Sequence, residues 1–274
     1  MSWSIATWNV NSLRARLPRV LAWLERHGPD VLALQETKCA DEDFPRAELE
    51  GAGYQVAFAG EPRGLNGVAL LTRRPLTDVR AVLPGREDDD QRRFLSGEVD
   101  GVRVIDVYVP NGQAIGSDAF FFKLDWLSRL SAHLREEHDP AQPLVLLGDF
   151  NITPDDRDVC DPAAWKNHLH CTAVERKMLG YLGAWGLKDA LRELTAEGGL
   201  FSWFDYRGTT RRLKRDEGLR IDLIYLTAPL AARLEAVEID WEEREGERPS
   251  DHAPVVARLR GADSRLTASP TLPS

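Results

Sequence analysis

The sequence is poor in the residues that staple or anchor a chain. Cysteine occurs three times in 274 residues, at Cys39, Cys160 and Cys171, an odd number with no Cys-x-x-Cys spacing. That excludes a disulfide framework and a cysteine-built structural zinc site, and it fits a reducing cytosol. No apolar run approaches the length of a membrane span, so no membrane association is expected. The first residues, Met1-Ser2-Trp3-Ser4-Ile5, lack a basic stretch leading into a long apolar one. No signal peptide and a cytoplasmic location are expected. Basic residues are outnumbered, 35 against 44 acidic ones, for a formal charge of −9. Such a chain does not hold a polyanion through its overall field; nucleic acid would need a local basic face or bound cations. There is no Walker loop and no Gly-x-Gly-x-x-Gly, which leaves nucleotide-fuelled and dinucleotide chemistry unsupported. Ser202 and Ser250 lack a nucleophile-elbow context, which argues against a serine hydrolase. No fixed-period repeat and no linker divides the chain, so one domain over 1–260 is expected, followed by a Ser/Thr/Pro-rich tail over 261–274 expected to be disordered.

What is present centres on Pro143-Leu144-Val145-Leu146-Leu147-Gly148-Asp149-Phe150-Asn151. The apolar run suits a strand buried on both faces, and it delivers an acid and an amide at its exit. Around it the sequence predicts about ten strands. Ser4–Val10, Asp30–Gln35, Tyr54–Ala59 and Val68–Thr72 come early. Phe94–Val99 and Val102–Val109 follow as a hairpin turning at Asp100-Gly101. Leu200–Tyr206, Leu219–Thr227, Leu234–Trp241 and Ser250–Leu259 come late. Helical spacing marks Leu13–His27, stopped by Gly28 and Pro29, and Val174–Gly186. It also marks a long helix capped by Asp118 and running to His138, with Phe121, Leu124, Leu127, Leu130 and Leu134 on its apolar face. Strands dominate and often run consecutively. This predicts an α/β fold of two packed mixed sheets with helices outside, rather than a single doubly wound sheet.

Polar residues recur where the apolar strands end: Asn9 and Asn11, Glu36, Tyr108 and Asn111, Asp149 and Asn151, Asp222, Asp251 and His252. Each alone reads as an ordinary turn former. Asp222 is different, because it lies in the apolar run Ile221-Asp222-Leu223-Ile224-Tyr225-Leu226, where a charge needs a partner. His252 is available; Arg220 and the basic loop Gly208–Gly218 are the rivals. Carboxylates with amide oxygens suit Mg²⁺ or Mn²⁺ better than zinc. A hard cation, an Asp able to activate water, and a His and Asn facing oxyanions compose a phosphoester hydrolase site.

The segments Thr7-Trp8-Asn9-Val10-Asn11, Leu34-Gln35-Glu36-Thr37-Lys38, Gly148-Asp149-Phe150-Asn151, Phe201-Ser202-Trp203-Phe204-Asp205-Tyr206-Arg207, Gly218-Leu219-Arg220-Ile221-Asp222 and Pro249-Ser250-Asp251-His252 resemble, in order, the exonuclease III family of abasic-site DNA endonucleases. The resemblance implies a four-layer α/β sandwich with the site at one edge of the two sheets. It implies Glu36 as the main Mg²⁺ ligand, with Asn11 and Asp251 nearby and Mn²⁺ able to substitute. It implies Asp149 as the base for the attacking water, helped by Asn9. Asn151 and Tyr108 would hold the phosphate, with Asn111 among the substrate contacts. His252, held by Asp222, would face the phosphoryl oxygens. Trp203, Leu219 and Ile221 would line a pocket for an extruded baseless sugar. Arg211 and Arg212 would contact the DNA backbone, the best placed of a set that includes Arg14, Arg16, Lys38 and Arg93. The implied activity is cleavage 5′ to abasic sites in duplex DNA, with trimming of blocked 3′ ends, by a monomer. A lipid or inositol phosphoesterase of the wider superfamily and a non-catalytic DNA-binding module are the alternatives.

Overall fold

The computed structural model describes residues 2–87, 91–205 and 217–261. In chain order the main elements are β1 (Trp3–Asn9), α1 (Leu13–His27), β2 (Val31–Gln35), α2 (Arg46–Gly51), β3 (Gln55–Ala59), β4 (Val68–Thr72), β5 (Leu76–Arg80), β6 (Phe94–Val99), β7 (Val102–Tyr108), α3 (Asp118–Glu137), β8 (Leu144–Asp149), α4 (Ala173–Trp185), β9 (Lys188–Asp189), α5 (Ala190–Leu194), β10 (Asp222–Leu226), α6 (Ala228–Ala231), β11 (Leu234–Ile239) and β12 (Val255–Leu259). They form two six-stranded mixed sheets, β11-β12-β1-β2-β4-β3 and β5-β6-β7-β8-β10-β9.

The four layers follow from where the apolar side chains go. Ile5, Val31, Ala33 and Leu70 of the first sheet meet Leu95, Val104, Val145, Leu147 and Ile224 of the second in a core between the sheets. The opposite faces pack Trp8, Leu32 and Leu34 against Val20, Trp23 and Leu24 of α1, and Ile105, Leu146 and Leu223 against Trp126, Leu130 and Leu134 of α3. A strand covered on both sides has no polar face, which is why Leu144–Leu147 is uninterrupted in sequence. Between the sheets Gln35 Nε2 donates to Asp106 Oδ1 across 2.7 Å. Burial pushes the Asp106 carboxyl well above its usual range, which favours its neutral form.

Register brings the site to one edge. Parallel β7 and β8 align Tyr108 with Asp149, and antiparallel β8 and β10 align Asp149 with Asp222. In the other sheet Asn9 stands beside Gln35, the residue before Glu36. Gly148 is required here. Its φ is +143°, and a Cβ would fall 1.9 Å from the Val107 carbonyl oxygen. At the expected hairpin turn, Asp100 and Gly101 both take positive φ, 51° and 77°, as such turns demand.

Four expectations are corrected. Ser117, not Asp118, caps α3, its Oγ accepting from the Phe120 N–H at 3.2 Å; Ser117 has the extended backbone a cap needs, and Asp118 opens the first turn. Phe121 is 59 % exposed, while Phe120, Lys123 and Trp126 are buried; the buried stripe admits a lysine, which hydrophobic spacing cannot foresee. Leu200–Tyr206 is not a strand over its described residues. Trp203 alone makes isolated bridges, to Leu219 and His252. The backbone around Leu219 is drawn toward Trp203, so the strand expected over Leu219–Thr227 begins only at Asp222.

Candidate active site

The exits of β1 and β2 run side by side, with Ser12 N–H on the Glu36 carbonyl at 2.8 Å and Leu13 N–H on that of Thr37 at 2.9 Å. Asn11, Ser12, Glu36, Lys38 and Asn151 all adopt positive φ, from 43° to 90°. Such conformations are costly for non-glycine residues and collect at functional sites.

The amide of Asn9 links two acids. Its Nδ2 donates to Glu36 Oε1 at 2.8 Å and to Asp149 Oδ2 at 2.9 Å. Asp149 also accepts from the Asn151 backbone N–H at 2.8 Å and its Nδ2 at 3.2 Å. Asn111 Nδ2 completes the line by donating to Asn151 Oδ1 at 3.1 Å. On the other side His252 Nδ1 lies 2.8 Å from Asp222 Oδ2, and its Nε2 lies 3.9 Å from Asp149 Oδ2. Of the rival partners for Asp222, Arg220 is committed elsewhere, to Asp158 at 2.6 Å and Asp189 at 2.6 Å.

Burial and charge set the protonation states. Asp149 is pushed up to about 7, first by burial and then by the charges of Asp222 and Glu36, with His252 opposing. For His252, burial favours the neutral ring, but Asp222 and Asp149 outweigh it and raise the group to about 10. Burial works to raise Glu36, yet Lys38 and the Asn9 amide hold it below the usual range. Burial, followed by the charge of Glu36, pushes the Tyr108 phenol well up, so Tyr108 keeps its proton, beneath the Arg93 guanidinium 4.5 Å from its ring centre.

The donor set suits a hard cation. Lys38 Nζ already sits 2.6 Å from Glu36 Oε2 and 2.6 Å from Asn11 Oδ1, so two hard oxygens converge where positive charge is stabilised. Asp251 Oδ1 accepts from Asn11 Nδ2 at 2.9 Å. Among the described residues, one group of potential ligands has its donor atoms within 4.8 Å of one another: Glu36, Asp149 and His252. His252, protonated and turned to Asp222, is the least suited of the three.

Trp203, half-buried, donates from Nε1 to Asp251 Oδ2 at 3.2 Å. Leu219 and Ile221 pack behind Trp203 and Trp165 with Val159 and Cys171, and both are buried rather than open to solvent. Arg211, Arg212 and most of the basic loop lie outside the described residues. Arg14 is engaged with Asp43 at 3.1 Å.

Sequence reasoning missed two serines. Ser202 Oγ donates to Asp222 Oδ2 at 2.6 Å and accepts from the Asp222 N–H at 3.1 Å. Ser250 Oγ donates to the Asn9 carbonyl at 2.6 Å and accepts from the His252 N–H at 3.2 Å. Each lies within a recognisable motif, but only the tertiary contact reveals a carboxylate-orienting or strand-tying role.

Residues 6–252 match the model of the endonuclease/exonuclease/phosphatase family. The chain is 35 % identical over 266 residues to exodeoxyribonuclease III of Haemophilus influenzae, covering 93 % of this chain and 98 % of that one. The chain belongs to the exonuclease III family. Solved relatives share its fold throughout. A Neisseria 3′ phosphatase, NExo, bound to a product DNA hairpin, superposes with TM-score 0.90 at 44 % identity, covering 94 % of this chain and all of that one. An AP endonuclease from Archaeoglobus fulgidus gives TM-score 0.89 at 37 % identity, over 93 % and 98 % of the two chains. The two six-stranded sheets with outer helices are thus the architecture of exonuclease III relatives.

Proposed function

We propose that this DNA-repair nuclease of the exonuclease III family hydrolyses the backbone on the 5′ side of abasic sites and trims blocked 3′ ends, with Mg²⁺ as its cofactor and Mn²⁺ able to replace it. The observation that carries the reading is Asp149: a buried carboxylate raised to about 7, accepting from Asn9 and Asn151 and facing a protonated His252.

In the reaction, Asp149 and the Asn9 amide orient a water, and Asp149 takes its proton as the oxygen attacks phosphorus. A base needs a pKa near the working pH, which burial supplies here. The P–O3′ bond breaks and the departing O3′ takes a proton from solvent water, leaving a 3′-hydroxyl and a 5′-phosphate that carries the new oxygen. Charge growing on the phosphoryl oxygens is met by the His252 Nε2–H, the Asn151 amide and the Tyr108 hydroxyl, donors fixed before the reaction starts. Glu36, Asn11 and Asp251 would hold Mg²⁺, which when bound polarises the phosphate and stabilises the departing oxygen. Trp203, backed by Leu219 and Ile221, excludes a normal base and admits a baseless sugar, whose extrusion costs little because it forfeits no stacking. Arg211 and Arg212 contact backbone phosphates.

We further read the chain as a monomeric, cytoplasmic enzyme with one catalytic domain over 1–260. Among the described residues no helix is long and apolar enough to cross a membrane.

The deciding experiment compares turnover on duplexes carrying one abasic site, a 3′-phosphate or a blunt end with turnover on a phosphoinositide panel. Cleavage 5′ to the abasic site with a 3′-hydroxyl product is expected. Turnover confined to phosphoinositides would replace this reading with the lipid-phosphate one, and binding of DNA without any cleavage would replace it with a binding module.

A further inference from the structure

A lysine is buried against the backbone of Asn151, read as a phosphate holder, and of Asn111, read as a substrate contact. Lys123, in α3, has no exposed surface. Its Nζ lies 2.7 Å from the Asn151 carbonyl oxygen, 3.2 Å from that of Asn111 and 2.5 Å from Glu175 Oε1. An ammonium has three donors and no acceptor, and here it meets three oxygens from three segments: the exit of β7, the exit of β8 and the first turn of α4.

Glu175 is buried as completely and extends the link. Its Oε1 also accepts from the His170 N–H at 3.2 Å. Its Oε2 accepts from Thr172 N–H at 3.1 Å and Thr172 Oγ1 at 2.7 Å, closing the capping box of α4. His170 returns to the site, with Nδ1 2.5 Å from the same Asn151 carbonyl. The polar segment 153–172 is therefore joined to Asn151 at its far end by one buried charge pair and one imidazole.

A buried ion pair is often no more stabilising than apolar residues of equal volume, and Phe120, Trp126 and Leu130 on the same stripe show that apolar side chains fit there. The ammonium does something they cannot: it gives donors to the carbonyls of Asn111 and Asn151, whose side-chain amides are hydrogen-bonded to each other. Asn151 is held at φ 51°, with its carbonyl on Lys123 Nζ and its Nδ2 donating to the Val109 carbonyl at 3.0 Å.

We propose that Lys123 is a positioning residue for the nuclease reaction, fixing the Asn111–Asn151 amide pair from below and, through Glu175, setting that pair's position against the 153–172 segment. The proposal rests on the reading of Asn151 as a phosphate holder and of Asn111 as a substrate contact.

The test uses Lys123→Met and the double variant Lys123→Met/Glu175→Gln in the full chain. The single change leaves a buried carboxylate uncompensated and lowers the melting temperature; the double change removes that carboxylate and recovers much of it. If Lys123 positions the amides, kcat on an abasic duplex falls about 10- to 100-fold in both variants, with KM changed less than about threefold. The side-chain amide NMR signals of Asn111 and Asn151 shift in both. Leu130→Ala, one of the apolar core residues of α3, serves as the control for lost stability and keeps its kcat. A kcat that recovers along with melting temperature in the double variant, or amide signals that do not move, overturns the proposal. Should the wild type fail to cut the duplex, the functional reading falls, and the amide signals alone decide whether Lys123 positions the pair.

Discussion

Asp222 and His252 form a buried pair in which Nδ1 lies 3.0 Å from Oδ1 and 2.8 Å from Oδ2 of one carboxylate. The other ring nitrogen is thereby left to face Asp149. Asp222 would be an uncompensated charge in an apolar strand without the imidazole, and the imidazole would have no fixed orientation without Asp222. Residues that act as one unit show non-additive losses. Asp222→Asn and His252→Asn should each remove much of the turnover, and the double variant should be little worse than His252→Asn alone. Kinetic losses that multiply would show that the two act separately.

The pH profile of kcat/KM should be bell-shaped. Asp149 must be ionised to accept a proton, and burial has raised it to about 7, so activity should rise through pH 7. His252 must stay protonated, and Asp222 is the strongest influence raising it to about 10, so activity should fall only above that. Because the two groups interact, the limbs belong to the pair. Removing the charge of Asp222 lowers the imidazole's pKa, so Asp222→Asn should bring the alkaline limb down by about one to three pH units. An unmoved alkaline limb would remove His252 from that assignment.

Chelation should abolish turnover, and Mg²⁺ or Mn²⁺ should restore it. Glu36→Gln keeps the shape of the ligand but not its charge. It should raise the metal concentration giving half activity by about 10-fold or more and weaken Mn²⁺ binding measured calorimetrically without DNA. Activity that survives exhaustive chelation would exclude the metal role.

Trp203→Ala should impair cleavage at abasic sites more than removal of a 3′-phosphate, since the former calls on the full sugar pocket. Equal losses on the two substrates, with a lowered melting temperature, would mark Trp203 as packing alone.

Asp106 gives a stability prediction. Its carboxyl is free to ionise in the unfolded chain near pH ~4 but is held neutral well above that in the fold. Below ~4 both states are protonated and there is no penalty. As pH rises from there toward the folded value, only the unfolded state loses its proton, so wild-type stability declines. Asp106→Asn keeps an oxygen for Gln35 and cannot titrate. Its melting temperature should therefore gain on the wild type as pH rises above ~4, and a constant difference would mean that Asp106 is ionised in the core.

Much was legible from the chain itself. An uninterrupted Leu144–Leu147 run suits a strand covered on both faces, and polar residues at strand exits pointed to Asn9, Glu36, Asp149 and His252 without coordinates. The two-sheet class follows from the same counting, because strands dominate and many run consecutively as hairpins. Tertiary structure decided what spacing cannot encode. Asp222 and His252 are 30 residues apart, and only the alignment of β8 with β10 and the bridge from Trp203 bring them together. Ser202 and Ser250 are ordinary turn residues until their hydroxyls find a carboxylate and a carbonyl. Lys123 breaks the apolar stripe of its helix because three oxygens from distant segments converge on one buried point. Local sequence sets which residues can leave water; the meeting of separate strand ends sets which charges must then find each other.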